Sequence, residues 1–143
     1  NIGLEPLSAE FNAEYLESYF KNRKAPIKSV IMDNKILVGV GNIYASESLF
    51  LSKINPLKPA HNLTKSEILE LTQSIIFVLT QAIQEGGTTL RDFVNGDNKP
   101  GYFKQKLNVY DRKNSGCYSC TTKIVRIVQS GRATYFCPTC QKI

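Results

Sequence analysis

From residue 63 to 87, LTKSEILELTQSIIFVLTQAIQEGG, apolar residues recur every three or four positions, with Ile68, Leu71, Ile75, Val78 and Ala82 on one stripe. That period predicts an amphipathic helix. Thr64 and Glu67 have the spacing of a capping box, and Gly86-Gly87 supplies the stop. About 21 residues at about 1.5 Å each make a helix near 30 Å long, expected as the spine of its domain. Earlier, SAEFNAEYLESYF (8–20) carries Phe11, Tyr15 and Tyr19 at four-residue steps, with Ser8 placed to cap a second amphipathic helix. After Pro26, IKSVIMDN (27–34) reads as a short helix. KILVGVG then leads to Asn42, read as the N-cap of a helix over IYASESLFLSK (43–53) that Pro56 stops. The expected order is helix, compact turn, helix.

The pattern changes near the C-terminus. KIVRIVQ (123–129) and ATYF (133–136) are β-rich runs separated by Ser130-Gly131-Arg132, which predicts a hairpin with a glycine turn. Arg132 should project from its tip. Between the long helix and this hairpin, TTLRDFVNGDNKPGYFKQ (88–105) is dense in turn formers and reads as a mobile loop. No repeat or low-complexity tract appears.

The glycines of VGVGNIYASESL (38–49) weaken either a strand or a helix, so a backbone requirement must outweigh their entropy. If the turn enters a helix N-terminus, Gly39 and Gly41 let the backbone approach a ligand while free N–H groups point outward. That arrangement suits an anion, with the helix dipole and the Asn42 amide contributing.

Charge sharpens the picture. Eighteen Lys and Arg against twelve Asp and Glu give +6. Residues 1–111 hold twelve of each sign, whereas Arg112, Lys113, Lys123, Arg126, Arg132 and Lys142 face no carboxylate side chain within 112–143. A small module so biased reads as a polyanion-binding surface. KNRK (21–24) has two readings: cations at the negative end of the first helix, or, with Lys28, a phosphate-facing patch. No run approaches the roughly 20 apolar residues of a membrane span, and no secretory signal opens the chain, so an intracellular, soluble protein is expected. The start at Asn1 suggests a piece of something larger.

All four cysteines fall in the last 27 residues, as Cys117-x2-Cys120 and Cys137-x2-Cys140 with sixteen residues between the pairs. Two such knuckles match a zinc ribbon, each presenting two thiolates to one tetrahedral ion. Thirty-odd residues cannot bury enough apolar surface alone, so the metal becomes the core, contributing on the order of 10 to 16 kcal/mol. Four ligands leave no open position, which makes the ion structural. Paired disulfides and a redox CxxC are the rivals, each lacking its usual context here.

MDNKILVGVGNIYASESLF (32–50), GGTTLRDF (86–93), PGYFKQKLNVYDR (100–112) and SGRATYFCPTCQK (130–142) together resemble the C-terminal half of bacterial formamidopyrimidine-DNA glycosylase, an architecture that the endonuclease VIII branch shares. The resemblance implies a mainly α fold, a helix-two-turns-helix DNA-binding domain over 1–111 followed by a β-hairpin zinc finger over 112–143. It implies phosphate contacts flanking the lesion for Lys28 and Asn42, next to the Gly41 backbone already read as part of the anion site. It adds a backbone contact and a proton-donor role in the final elimination for Arg132, and a further DNA contact for Arg23 and Lys24. The segment 88–103 would include the loop that closes over an extruded 8-oxoguanine.

The implied partners are double-stranded DNA bearing an oxidised purine or abasic site, and an N-terminal catalytic domain of the same protein. A cytoplasmic, nucleoid-associated bacterial monomer is expected. Within this family, an N-terminal proline attacks the sugar, helped by a neighbouring glutamate and a lysine. These 143 residues begin Asn1-Ile2, so the chain alone is expected to bind DNA without cutting it. The alternative is a non-enzymatic zinc-ribbon module that binds nucleic acid.

Overall fold

A computed structural model describes residues 2–85 and 107–143. Among the described residues, four helices, α1 (Ala13–Phe20), α2 (Ile27–Ile31), α3 (Asn42–Leu51) and α4 (Lys65–Gln84), precede two strands, β1 (Val125–Gln129) and β2 (Arg132–Phe136). The 3-10 turn Ala60–Asn62 lies between α3 and α4. Among the described residues, no helix is long and apolar enough to cross a membrane.

Helix α1 starts later than its pattern predicts. Asn12 is the cap, its side chain accepting from the Tyr15 N–H at 2.8 Å, while the Ser8 hydroxyl donates to the Glu5 carbonyl in a preceding turn. Asn12 lies directly before a run without turn formers, and Phe11 ahead of it is buried. The deep face is Leu16 and Phe20. Tyr15 and Tyr19 are half-buried, their rings tilted at 59° with centres 5.0 Å apart, and the Tyr15 hydroxyl donates to the Ile36 carbonyl at 2.6 Å. A phenol needs such a partner, which keeps both rings at the rim of the core.

In α4 the Thr64–Glu67 capping box forms as predicted, and Lys58 adds an ion pair to Glu67 at 2.9 Å. Ile68, Leu71, Ile75 and Ala82 are buried and Val78 is half-buried. The predicted Gly86-Gly87 stop and the loop over 88–105 lie outside the described residues.

The centre of the molecule is α3 rather than α4. Ala45 through Phe50 are all buried, including Ser46, Glu47 and Ser48, whose polarity would put them on a wet face. One side of α3 joins an apolar cluster with α1, α2 and α4, through Ala45 and Leu49. Its other side contributes Phe50 to a second cluster with Val109, Ile124, Tyr135 and two cysteines. Glu47 is satisfied where it sits, accepting from the backbone N–H groups of Asn108, Val109 and Tyr110 at 2.7 to 2.9 Å. Burial raises its pKa while those donors oppose the rise.

The strands pair antiparallel, from Val125 with Phe136 to Gln129 with Arg132. The connection is therefore two residues, Ser130 (φ 49°) and Gly131 (φ 77°), both left-handed as a type I′ turn requires. Arg132 belongs to β2, one step back from the tip where the sequence pattern sets it.

Candidate metal centre and nucleic-acid interface

Cys137 directly follows β2, and the turns before β1 carry Cys117 and Cys120. Their three sulfurs and that of Cys140 all lie within 4.8 Å of one another. Cys117 and Cys140 are 3.8 Å apart, Cys120 and Cys137 3.4 Å. A tetrahedral ion with ligands at about 2.3 Å sets sulfurs about 3.8 Å apart, so the donor set fits one zinc. The cysteines are free, not paired in disulfides. Cys120 and Cys140 sit in opposed environments. Hydrogen bonding from Thr122 lowers Cys120 to about 6, whereas burial pushes Cys140 up to about 12. A divalent ion removes that conflict by holding all four as thiolates.

The knuckles are set by backbone. The Thr121 N–H donates to the Cys117 carbonyl at 2.8 Å, and the Thr122 and Thr139 hydroxyls meet at 2.8 Å across the pair. Thr121 takes φ 66°, a left-handed conformation that a β-branched residue adopts at a cost.

At the start of α3, Gly41 is the cap and Asn42 the first helical residue, with no side-chain capping bond. This corrects the expected Asn42 cap and frees its amide. Asn42 Nδ2 donates to the Ala133 carbonyl at 2.9 Å, and Asn42 Oδ1 accepts from Lys28 Nζ at 2.5 Å. Gly39 has φ 90°, which accounts for glycine there, whereas Gly41 is extended and a Cβ would meet Tyr44 only at an ordinary 3.9 Å.

Lys28, expected as an open phosphate contact, is 2% exposed. Its ammonium also donates to Thr134 Oγ1 at 2.6 Å and the Ala133 carbonyl at 3.3 Å. Burial, with the Arg132 charge adding, lowers its pKa to about 8. The hairpin tip therefore docks on the helical core through a buried lysine.

Above this junction, a cleft of about 820 Å³ opens between Gly39–Tyr44, Tyr110 and the exposed Arg132, with Met32, Leu79 and Ile83 on its apolar wall. Gly41, Asn42 and Arg132 thus meet in one place, and Lys28 lies beneath them. Arg23 and Lys24 do not line that cleft. They are exposed on the loop after α1, with the Arg23 guanidinium 5.7 Å from the Tyr19 ring centre. Thr134 and Gln141, both fully buried, had no signal in the sequence, since neither belongs to a recognisable spacing.

Comparison with known proteins agrees over both regions. The formamidopyrimidine-DNA glycosylase H2TH domain family matches residues 2–94, and the zinc finger found in FPG and IleRS matches 117–143. A formamidopyrimidine-DNA glycosylase of Rickettsia felis is 57% identical over 141 residues, covering 99% of this chain and 51% of that protein. One from Hydrogenovibrio crunogenus is 56% identical over 142 residues, with the same coverage. The crystal structure of MutM (Fpg) from Thermus thermophilus superposes with a TM-score of 0.88 at 39% identity, over 98% of this chain and 53% of that one. Lactococcus lactis Fpg, in complex with DNA containing an abasic site, gives 0.87 at 33% identity, over 99% and 52%. The chain spans about half the length of the curated relatives it matches.

Proposed function

We propose, from the premise that the chain belongs to the formamidopyrimidine-DNA glycosylase family, that it is the DNA-binding half of a base-excision repair enzyme. That enzyme removes oxidised purines, 8-oxoguanine and formamidopyrimidines, and nicks the resulting abasic site. The carrying observation is the meeting of the α3 N-terminus and Arg132 in one cleft, joined by Lys28.

First-turn N–H groups of α3, which have no intrahelical carbonyl to bond, the helix dipole and a guanidinium suit one or two backbone phosphates. Enzymes that extrude a base must hold a bent duplex while the nucleotide leaves the stack, and phosphate anchors on both sides supply that hold. Gly41, Asn42 and Arg132 are the inner anchors in this reading. Arg23 and Lys24 contact the backbone farther out. Lys28 acts from beneath, orienting Asn42 and adding charge rather than touching DNA in the docked state. The zinc held by Cys117, Cys120, Cys137 and Cys140 supplies no chemistry; it stiffens the hairpin that carries Arg132.

Attack on the sugar needs an amine nucleophile, and Arg132 cannot serve because guanidinium stays protonated. Its proton-donor role in the final elimination belongs to the whole enzyme, a monomer in which a catalytic domain of the same protein supplies the amine. Borohydride trapping on 8-oxoguanine DNA tests the division of labour. The chain alone should shift the duplex in a gel without forming an adduct, and a covalent adduct would overturn the reading. Equal affinity for intact and damaged duplex would favour a plain zinc-ribbon module instead.

A further inference from the structure

The hairpin is hydrogen-bonded near the start of α3 and, far from the cleft, to the turn after it, where Gln129 Nε2 also donates to the Pro56 carbonyl at 3.3 Å. Near the start of α3, Asn42 and Lys28 hold Ala133 and Thr134. Beyond its end, Gln141 does the fastening. The Gln141 Nε2 donates to the Ile54 carbonyl at 3.0 Å, and its Oε1 accepts from the Cys137 N–H at 2.8 Å. The Gln141 carbonyl accepts from Asn55 Nδ2 at 2.8 Å. Asn55 is itself fixed, its Oδ1 accepting from the Leu57 N–H at 2.8 Å. Ten helical residues separate the two attachments by about 15 Å.

Gln141 is fully buried, where an amide is costly unless its groups are bonded. It is not needed to complete the metal site, since four thiolates fill a tetrahedron. Its bonds run instead between the Cys137–Cys140 knuckle and the turn after α3. Bonds at both ends of α3 set the hairpin's direction, and at the far end the Gln141 bonds, buried at 2.8 and 3.0 Å, hold more firmly than the half-buried Gln129 bond. We propose that Gln141 is a positioning residue for Arg132, fixing the angle at which the zinc-held hairpin carries that guanidinium into the cleft. The proposal rests on the reading of Arg132 as a phosphate contact.

The test compares Gln141→Met, Asn55→Ala, Arg132→Ala and the pairwise combinations with Arg132→Ala, in duplex titrations over a range of salt. Bound zinc is counted in each variant. Gln141→Met should keep one zinc per chain, weaken binding about three- to tenfold and flatten the logarithmic salt slope by about 0.9 unit, as loss of one phosphate contact does. Adding Arg132→Ala should cost little more, because both changes remove the same contact. If Gln141→Met loses its metal, Asn55→Ala decides by the same criteria, since it leaves the knuckle untouched. Losses that add in full, or a native slope in Gln141→Met beside a flattened one in Arg132→Ala, overturn the positioning role alone. No effect of Arg132→Ala overturns the phosphate reading, and the positioning role with it.

Discussion

The helical region and the zinc hairpin are held together by different physics. Among the described residues, the first buries seventeen apolar residues in one cluster, from Phe11 to Ile75. The second buries six, of which two are metal ligands and one, Phe50, is borrowed from α3. Apolar burial on that smaller scale does not offset the entropy of ordering thirty residues, so the ion must contribute the difference. Yet the regions are not independent, because α3 serves both clusters. Its first residue and the turn after its end hold the hairpin. A robust helical scaffold thus fixes the direction of a metal-dependent probe.

Zinc removal is the severest way to break that contrast. Chelation should abolish the hairpin and its DNA contacts while most helicity, carried by the apolar cluster, survives in far-UV circular dichroism. Simultaneous loss of both signals would show that α3 cannot hold its place without the finger.

Lys28→Met comes next. It leaves Thr134, the Ala133 carbonyl and Asn42 without their shared donor, at a cost of about 2 to 3 kcal/mol in chemical denaturation. The same residue gives a pH signature. With its folded pKa lowered to about 8 from 10.5, the native state binds fewer protons than the unfolded chain between those values. Its contribution to stability therefore rises with pH across that window, whereas DNA affinity should fall as the charge is lost near pH 8. Lys28→Met should lack both steps; a native pH profile in the variant would exclude this lysine as their source.

Arg132→Ala has a smaller effect. It should weaken duplex binding severalfold and reduce the salt slope by about one unit, with zinc content and unfolding unchanged. An unaltered slope would remove Arg132 from the phosphate contacts.

Thr121→Gly is the mildest change and moves the other way. Relief of the left-handed φ of 66° outweighs the added freedom of the unfolded chain, so the finger should gain up to about 1 kcal/mol. A lower temperature of metal release would show that the Thr121 side chain contributes more than its strain costs.

Much of this fold could be read from residue spacing because the relevant forces are local. The Thr64–Glu67 box, the α4 stripe and the two CxxC knuckles each depend on neighbours within a few positions. Ser8 misled because two cap-forming residues precede the run: the Ser8 hydroxyl turns back to the Glu5 carbonyl, and Asn12 takes the cap. Asn42 misled more usefully: it resembles a cap, but Gly41 takes that position and leaves the amide for Ala133, 91 residues away. The burial of Lys28, Glu47 and Gln141 was likewise hidden, since each is satisfied only by long-range partners. The four cysteines, set by sequence-local spacing, come together as that spacing predicts; where the candidate site is built on the docking of hairpin to helix, its geometry emerged only with the fold.

Duplex affinity measured at several salt concentrations, before and after zinc removal, tests the central claim most directly. The zinc-loaded chain should bind abasic-site DNA with a steep slope, and the metal-free chain should bind more weakly with a slope at least about one unit flatter. Identical affinity and slope in a chain verified to be metal-free would contradict the claim that a zinc-set hairpin and the start of α3 grip the phosphates together.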